Sequence, residues 1–270
     1  MTQPNHVLKH NAQAWDTRAR AGARFARPAT DEQFRNPLAA LDSNGWLGEN
    51  IRDRQMLCLG AGGGKAGVLF AAAGATVTVV DISPEMLALD RKIAADRGLD
   101  LVTVEASIDD LSILPAARFD IVSQPVCSCY VPDVTAVYRE VARVIVDDGL
   151  YISQHKQPTS LQAGMHSPQG GFKLVEPYYR QGPLPDVKGS LHRESGVFEF
   201  LHRWEQLIGG MCQAGFVIED LVEPPHADPK AEKDSFAYRS FFTPPYVRIK
   251  ARREPRTDAT PPIRPSVWTP

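Results

Sequence analysis

One short segment of the chain carries most of its chemistry. LCLGAGGGKAG puts Gly60, Gly62 and Gly64 after an apolar run and ahead of a small-residue helical pattern. Glycines serve there because the backbone must turn sharply and approach a ligand with no side chains between, while a helix N-terminus offers unpaired N–H groups. Nineteen residues after Gly62, at the end of the next apolar run, stands Asp81. An acid so placed accepts both hydroxyl protons of a ribose. The pair marks a nucleoside site without naming the nucleoside. Read from Gly62, the residues Gly62, Gly64 and Gly67 satisfy G-x-G-x-x-G, the dinucleotide pattern. Read from Gly60, the same loop is the shorter glycine pattern of an S-adenosylmethionine site.

The elements that must hold these residues are legible as alternating patterns. Strands are expected at 55–59, 76–80, 101–105, 119–123 and 150–154. Between them helices are expected at 63–73, 84–97 and 133–146, the second opened by Ser83 and Pro84 and stopped by Gly98, the third capped by Asp133. Such alternation specifies a parallel sheet with crossover helices. Upstream, 5–25 and 36–47 read as amphipathic helices, the first carrying Trp15. Downstream, 156–200 is long, loop-like and rich in Gly, Pro, Tyr and His, the pattern of a lid. A helix over 201–214 and strands over 216–222 and 246–250 complete the domain, and the Pro-rich stretch 253–270 reads as an appendage.

The order of several blocks resembles class I S-adenosylmethionine-dependent methyltransferases, most closely their small-molecule branch. These are NAQAWDTRA, LGAGGG, VTVVDISPEML, FDIVSQPVCSCYVPD, YREVARVIVDDGLYISQH, AGFVIEDLVEP and PPYVRIKARR, spread over residues 5–252. The resemblance implies an α/β fold: a Rossmann-like, doubly wound, mainly parallel seven-stranded sheet with an antiparallel last strand. It divides the chain into a helical cover (1–50), a methyltransferase domain (51–252, lid about 156–200) and the tail. It implies S-adenosyl-L-methionine as cofactor, with Gly60, Ala61 and Gly62 against the methionine part and Asp81 on the ribose hydroxyls. Ile82 and Met86 then lie beside the adenine, Ser107 and Ile108 at its edge, and Gln124 and Val126 under the sulfonium, with Trp15 closing over it. Two positions depart from the family pattern: Cys58 stands where most members carry an acid, and Ser107 where Asp is common.

Methyl transfer needs a nucleophile held near a methyl already activated by positive sulfur, so no catalytic motif is required. The acceptor side belongs at the C-terminal ends of the strands. His155, directly after YISQ, is expected to emerge there as a general base or substrate contact, or as a polar rim residue. Tyr130 and His202 are further candidates, each with packing beneath the lid as the alternative. Cys127 and Cys129 lack a second pair at ligand spacing, so no metal is expected. A nicotinamide oxidoreductase and a non-catalytic binder of the same cofactor are the rival functions; the single Tyr-x-x-x-Lys, Tyr246 to Lys250, falls in a strand-like segment.

The 30 basic and 32 acidic residues give a net charge of −2, which argues against a nucleic-acid partner. No apolar run reaches the ~18 residues of a membrane span, and the first residues lack a signal-peptide pattern, so a cytoplasmic protein acting on a small molecule is expected. Four cysteines are too few for a disulfide scaffold. The oligomeric state stays open.

Overall fold

Each central strand is apolar on both faces because helices cover both. In β1 (Gln55–Leu59), Met56 and Cys58 enter one core with Phe70, Val79 and Ile121, while Leu57 and Leu59 enter the other with Val122, Val137 and Tyr151. In the computed structural model, which describes residues 4–165 and 170–255, seven strands form one sheet. The others are β2 (Thr76–Asp81), β3 (Val102–Glu105), β4 (Phe119–Gln124), β5 (Ile145–Lys156), β6 (Phe216–Val222) and β7 (Tyr246–Arg253). Their order is β3-β2-β1-β4-β5-β7-β6, with only β7 antiparallel to its neighbours. This is the doubly wound sheet that the sequence implies.

Ahead of β1 lie α1 (Pro4–Arg20), α2 (Asp31–Arg35) and α3 (Pro37–Leu41). The expected helix over 36–47 is thus shorter. Asn36 ends α2 and caps α3, its side chain accepting from the Ala39 N–H ahead of Pro37. The first crossover is α4 (Ala66–Ala72) and the second is α5 (Pro84–Arg97), whose bounds match the sequence reading. Ser83 Oγ accepts from the Met86 N–H at 3.1 Å, and Gly98 ends α5 at φ 63°, the left-handed conformation that glycine takes without strain. Helix α6 (Val134–Val144) is capped by Asp133. It stops two residues before the expected end because Ile145 pairs with Phe119 and begins β5.

After β5 the chain forms α7 (Pro158–Gln162), and among the described residues no long helix follows up to residue 203. The helix expected at 201–214 begins later, as a π-helical turn over Glu205–Gly209 running into α8 (Gly210–Gln213). Gly210 lets it pack closely on α6: a Cβ there would lie 3.0 Å from Thr135 Cγ2. Between β6 and β7 lies α9 (Phe236–Phe242), which the sequence reading did not anticipate. Strand β7 runs to Arg253, and the rest of the expected tail, from 256 on, lies outside the described residues. No described helix is long and apolar enough to cross a membrane.

Candidate active site

The loop after β1 is closed by the protein's own acceptors. The Gly60 N–H donates to the Val80 carbonyl at 2.8 Å, and the Gly62 N–H to Asp81 Oδ2 at 3.0 Å. The Gly63 N–H donates to the Met86 carbonyl at 3.0 Å and to Asp90 Oδ2 at 2.9 Å. Glycine is needed at 60 and 62 for closeness. Gly60 has φ 54°, and a Cβ on it would lie 2.6 Å from Cys127 Cβ. A Cβ on Gly62 would lie 2.8 Å from Met86 Cβ and 2.9 Å from Asp81 Oδ2.

Asp81 is buried at the end of β2, with Oδ1 accepting from the Ser83 N–H at 2.9 Å. Burial pushes its carboxyl up to about 6, against the pull of the Ser83, Gly62 and Ile82 N–H groups. Asp90, fully buried behind the loop, is pushed up to about 7 by burial, with the Gly64 and Gly63 N–H groups pulling the other way. The Gly60, Gly62 and Gly63 N–H groups are thus already bonded within the protein, two of them to carboxyl groups, which makes the loop a poor pyrophosphate site.

A cleft of about 570 Å³ opens above the loop, within the ~300–1,000 Å³ of small-molecule sites. Of the residues expected around the cofactor, Gly60, Ala61, Gly62, Asp81, Ile82, Met86, Ser107, Ile108, Val126 and Trp15 all line it. Ser107 Oγ is hydrogen-bonded to Asp109, so a carboxylate stands two residues beyond the serine. Gln124 does not line the cleft. It is buried below, where its Oε1 accepts from the Tyr151 hydroxyl at 2.5 Å. Cys58 is buried in the core face of β1.

The catalytic candidates fare differently. Tyr130 lines the cleft, 5.4 Å edge-on to Trp15, and its hydroxyl donates to Glu194 Oε2 at 2.6 Å. Burial keeps that phenol protonated, well above its usual range. His155 is not at the rim. It is fully buried against Tyr138, between Ser128 Oγ and Ser153 Oγ at 2.8 Å each, and desolvation pulls it down to about 3. His202 is also buried away from the cleft, 3.0 Å from the Ser128 carbonyl.

The strand parity explains the correction. Side chains alternate across β5, so Gln154 and Lys156 line the cleft and His155 faces the opposite core. Lys156 was missed. Its ammonium lies 2.6 Å from Glu194 Oε2, is hydrogen-bonded to Glu199, and lies 5.7 Å from the Tyr130 ring centroid. Although burial pulls the other way, the charges around it hold its pKa above the ordinary lysine value. Glu199 in turn accepts from Arg193 Nε at 2.5 Å. Both segments also meet α1, since Asn11 Nδ2 donates to the carbonyls of Tyr130 and Phe198 at 3.0 and 3.1 Å. No local signal marks Glu194.

A nucleoside-binding, doubly wound sheet with an acid-lined loop defines a class of cofactor-dependent enzymes, and comparison narrows it. A methyltransferase-domain family matches residues 57–153. An uncharacterized methyltransferase of Bacillus subtilis, YbaJ, is 32% identical over 234 residues, 81% of this chain and 91% of that one. The chain belongs to the class I S-adenosylmethionine-dependent methyltransferase superfamily. A nocamycin O-methyltransferase of Saccharothrix syringae is 35% identical over 96 residues, 34% of each chain. A solved S-adenosylmethionine-dependent methyltransferase from Mesorhizobium loti shares the fold at a TM-score of 0.63 and 21% identity, covering 82% of this chain and all of that one. So does the 1,6-didemethyltoxoflavin-N1-methyltransferase of Burkholderia thailandensis, solved with its namesake ligand and S-adenosylhomocysteine (TM-score 0.56, 18% identity, 94% and 92% coverage).

S-Adenosylmethionine is the cofactor, and the loop fits it: glycines that admit close approach and a buried carboxyl group, Asp81, at the cleft wall.

Proposed function

We propose that the protein methylates a small, cyclic or aromatic metabolite, with residues 51–252 as the catalytic domain, 1–50 as helical cover and about 156–200 as lid. When bound, the cofactor supplies an electrophilic methyl group. Gly60, Ala61, Gly62, Asp81, Ile82, Met86, Ser107, Ile108 and Val126 hold it, and Trp15 with Tyr130 covers it. The observation that carries this reading is the cleft itself: one continuous cavity runs from Asp81 to the aromatic side chains Phe236 and Tyr246. Its volume suits a metabolite-sized ligand, and its walls carry both carboxylates and cations, unlike a basic groove for RNA. The relatives named for nocamycin and toxoflavin precursors point the same way.

Within the cleft the chain excludes water through the α1–lid contact and offers Tyr130, Glu194 and Lys156 as polar groups near the acceptor. The experiment is calorimetry with S-adenosylhomocysteine followed by turnover on a panel of phenols, enols and aromatic amines. Binding with turnover of at least one ring acceptor supports the proposal. Binding with the cofactor left intact by every acceptor returns the protein to the non-catalytic reading.

A further inference from the structure

The cleft extends well beyond the residues assigned above to the cofactor. The antiparallel register of β5 and β7 sets Gln154 against Arg248 and Lys156 against Tyr246, and all four line the cavity. Phe236 and His226 continue the wall, His226 lying 5.6 Å from the Tyr246 ring and 5.4 Å from Phe236.

The charges in this part of the cleft differ in how they are answered. Glu194 accepts from both Lys156 and Tyr130 at 2.6 Å, so its negative charge is already met inside the protein. Lys156 is enclosed between Glu194 and Glu199. Neither is free to meet a charged ligand.

Arg248 is. Its Nε donates to Gln154 Oε1 at 2.7 Å, and its Nη1 to Ser43 Oγ at 2.8 Å and Asn44 Oδ1 at 3.1 Å. All three acceptors are neutral. Among the described residues Arg248 forms no ion pair, and its Nη2 has no hydrogen-bond partner. A half-buried guanidinium held by three neutral acceptors has no countercharge within the described residues, and its Nη2 N–H groups remain to donate to an anion. Arg24, exposed at the same cavity with its guanidinium 5.4 Å from the Phe25 ring centroid and no ion pair among the described residues, adds a second positive charge.

We propose that Arg248 anchors an anionic group of the methyl acceptor, which is therefore a planar carboxylic acid whose ring lies along Tyr246 and Phe236. The inference rests on the reading of the cleft as a methyltransferase site and adds the charge of its substrate.

Benzoate and its neutral, equally shaped amide, benzamide, are the probes, with affinities measured by saturation-transfer NMR in the presence and absence of S-adenosylhomocysteine. Benzoate is expected to bind at least tenfold more tightly than benzamide to the wild type. In Arg248→Gln the ratio should fall below two, and Arg248→Lys should restore part of it. Thermal melting checks that the variants fold, and the wild-type ratio stands as a test without them. No contact from benzoate, equal binding of the two fragments, or a ratio that survives in Arg248→Gln overturns the proposal. Failure of S-adenosylhomocysteine to bind the wild type overturns the cofactor reading instead, and the ratio measured without it keeps the two failures separate.

Discussion

The two halves of the cleft are built by different means. On the cofactor side, main chain does most of the work: a glycine turn with two carboxyl groups, Asp81 and Asp90, bonded back to it. On the acceptor side, side chains from distant segments meet, and the Lys156–Glu194–Glu199–Arg193 group is held by charge. A backbone site is specified locally and tolerates no added atoms. A charged network is specified by chain closure over many residues and tolerates no missing partner.

The largest effect that sharpens this contrast is expected from Lys156→Met. It leaves two buried carboxylates without their ammonium and should cost about 3–5 kcal/mol of stability, read by urea unfolding. A loss below ~1 kcal/mol would mean that the network is not structural. On the other side, Gly62→Val forces a side chain into Met86 and Asp81. S-Adenosylhomocysteine affinity should drop by ~2–3 kcal/mol by calorimetry, the scale of overpacking, and unchanged affinity would break the account of the loop.

Asp81→Ala removes the proposed ribose acceptor and should weaken the same ligand by at least ~1.5 kcal/mol, with the fold retained on circular dichroism. Equal affinity would take Asp81 out of the site. A gentler probe uses the proton. With its carboxyl at about 6 in the folded protein and 3.8 as the ordinary value, Asp81 binds a proton more readily folded than unfolded. Its contribution to stability therefore falls as pH rises from about 4 to about 6, whereas a ligand that needs the carboxylate binds better as pH passes 6. S-Adenosylhomocysteine affinity should rise about tenfold between pH 5 and pH 7.5, and Asp81→Asn should flatten the profile. A flat wild-type profile would contradict the assignment.

The same contrast governs what the sequence discloses. Strands β1 to β4, helix α5 with Ser83 and Gly98 at its ends, the glycine turn and Asp81 are all written in short patterns, so they can be read without the fold. His155 and Lys156 could not be sorted so easily. Strand β5 is buried on both faces, and its two faces become distinguishable only once β7 is set beside it. Glu194 and Glu199 reach Lys156 across 38 and 43 residues of lid that lack long-range periodicity. Arg248 acquires its meaning from Ser43, Asn44 and Gln154, partners 205, 204 and 94 residues away. Helix α9 is only seven residues long, and its buried positions are the polar Arg239 and Ser240, so no apolar stripe announces it.

The most direct test of the central claim is a crystal structure with S-adenosylhomocysteine bound. The account predicts both ribose hydroxyls within hydrogen-bonding distance of the Asp81 carboxylate and the homocysteine portion along Gly60–Gly62. Density for the ligand elsewhere, or a ribose turned away from Asp81, would contradict it.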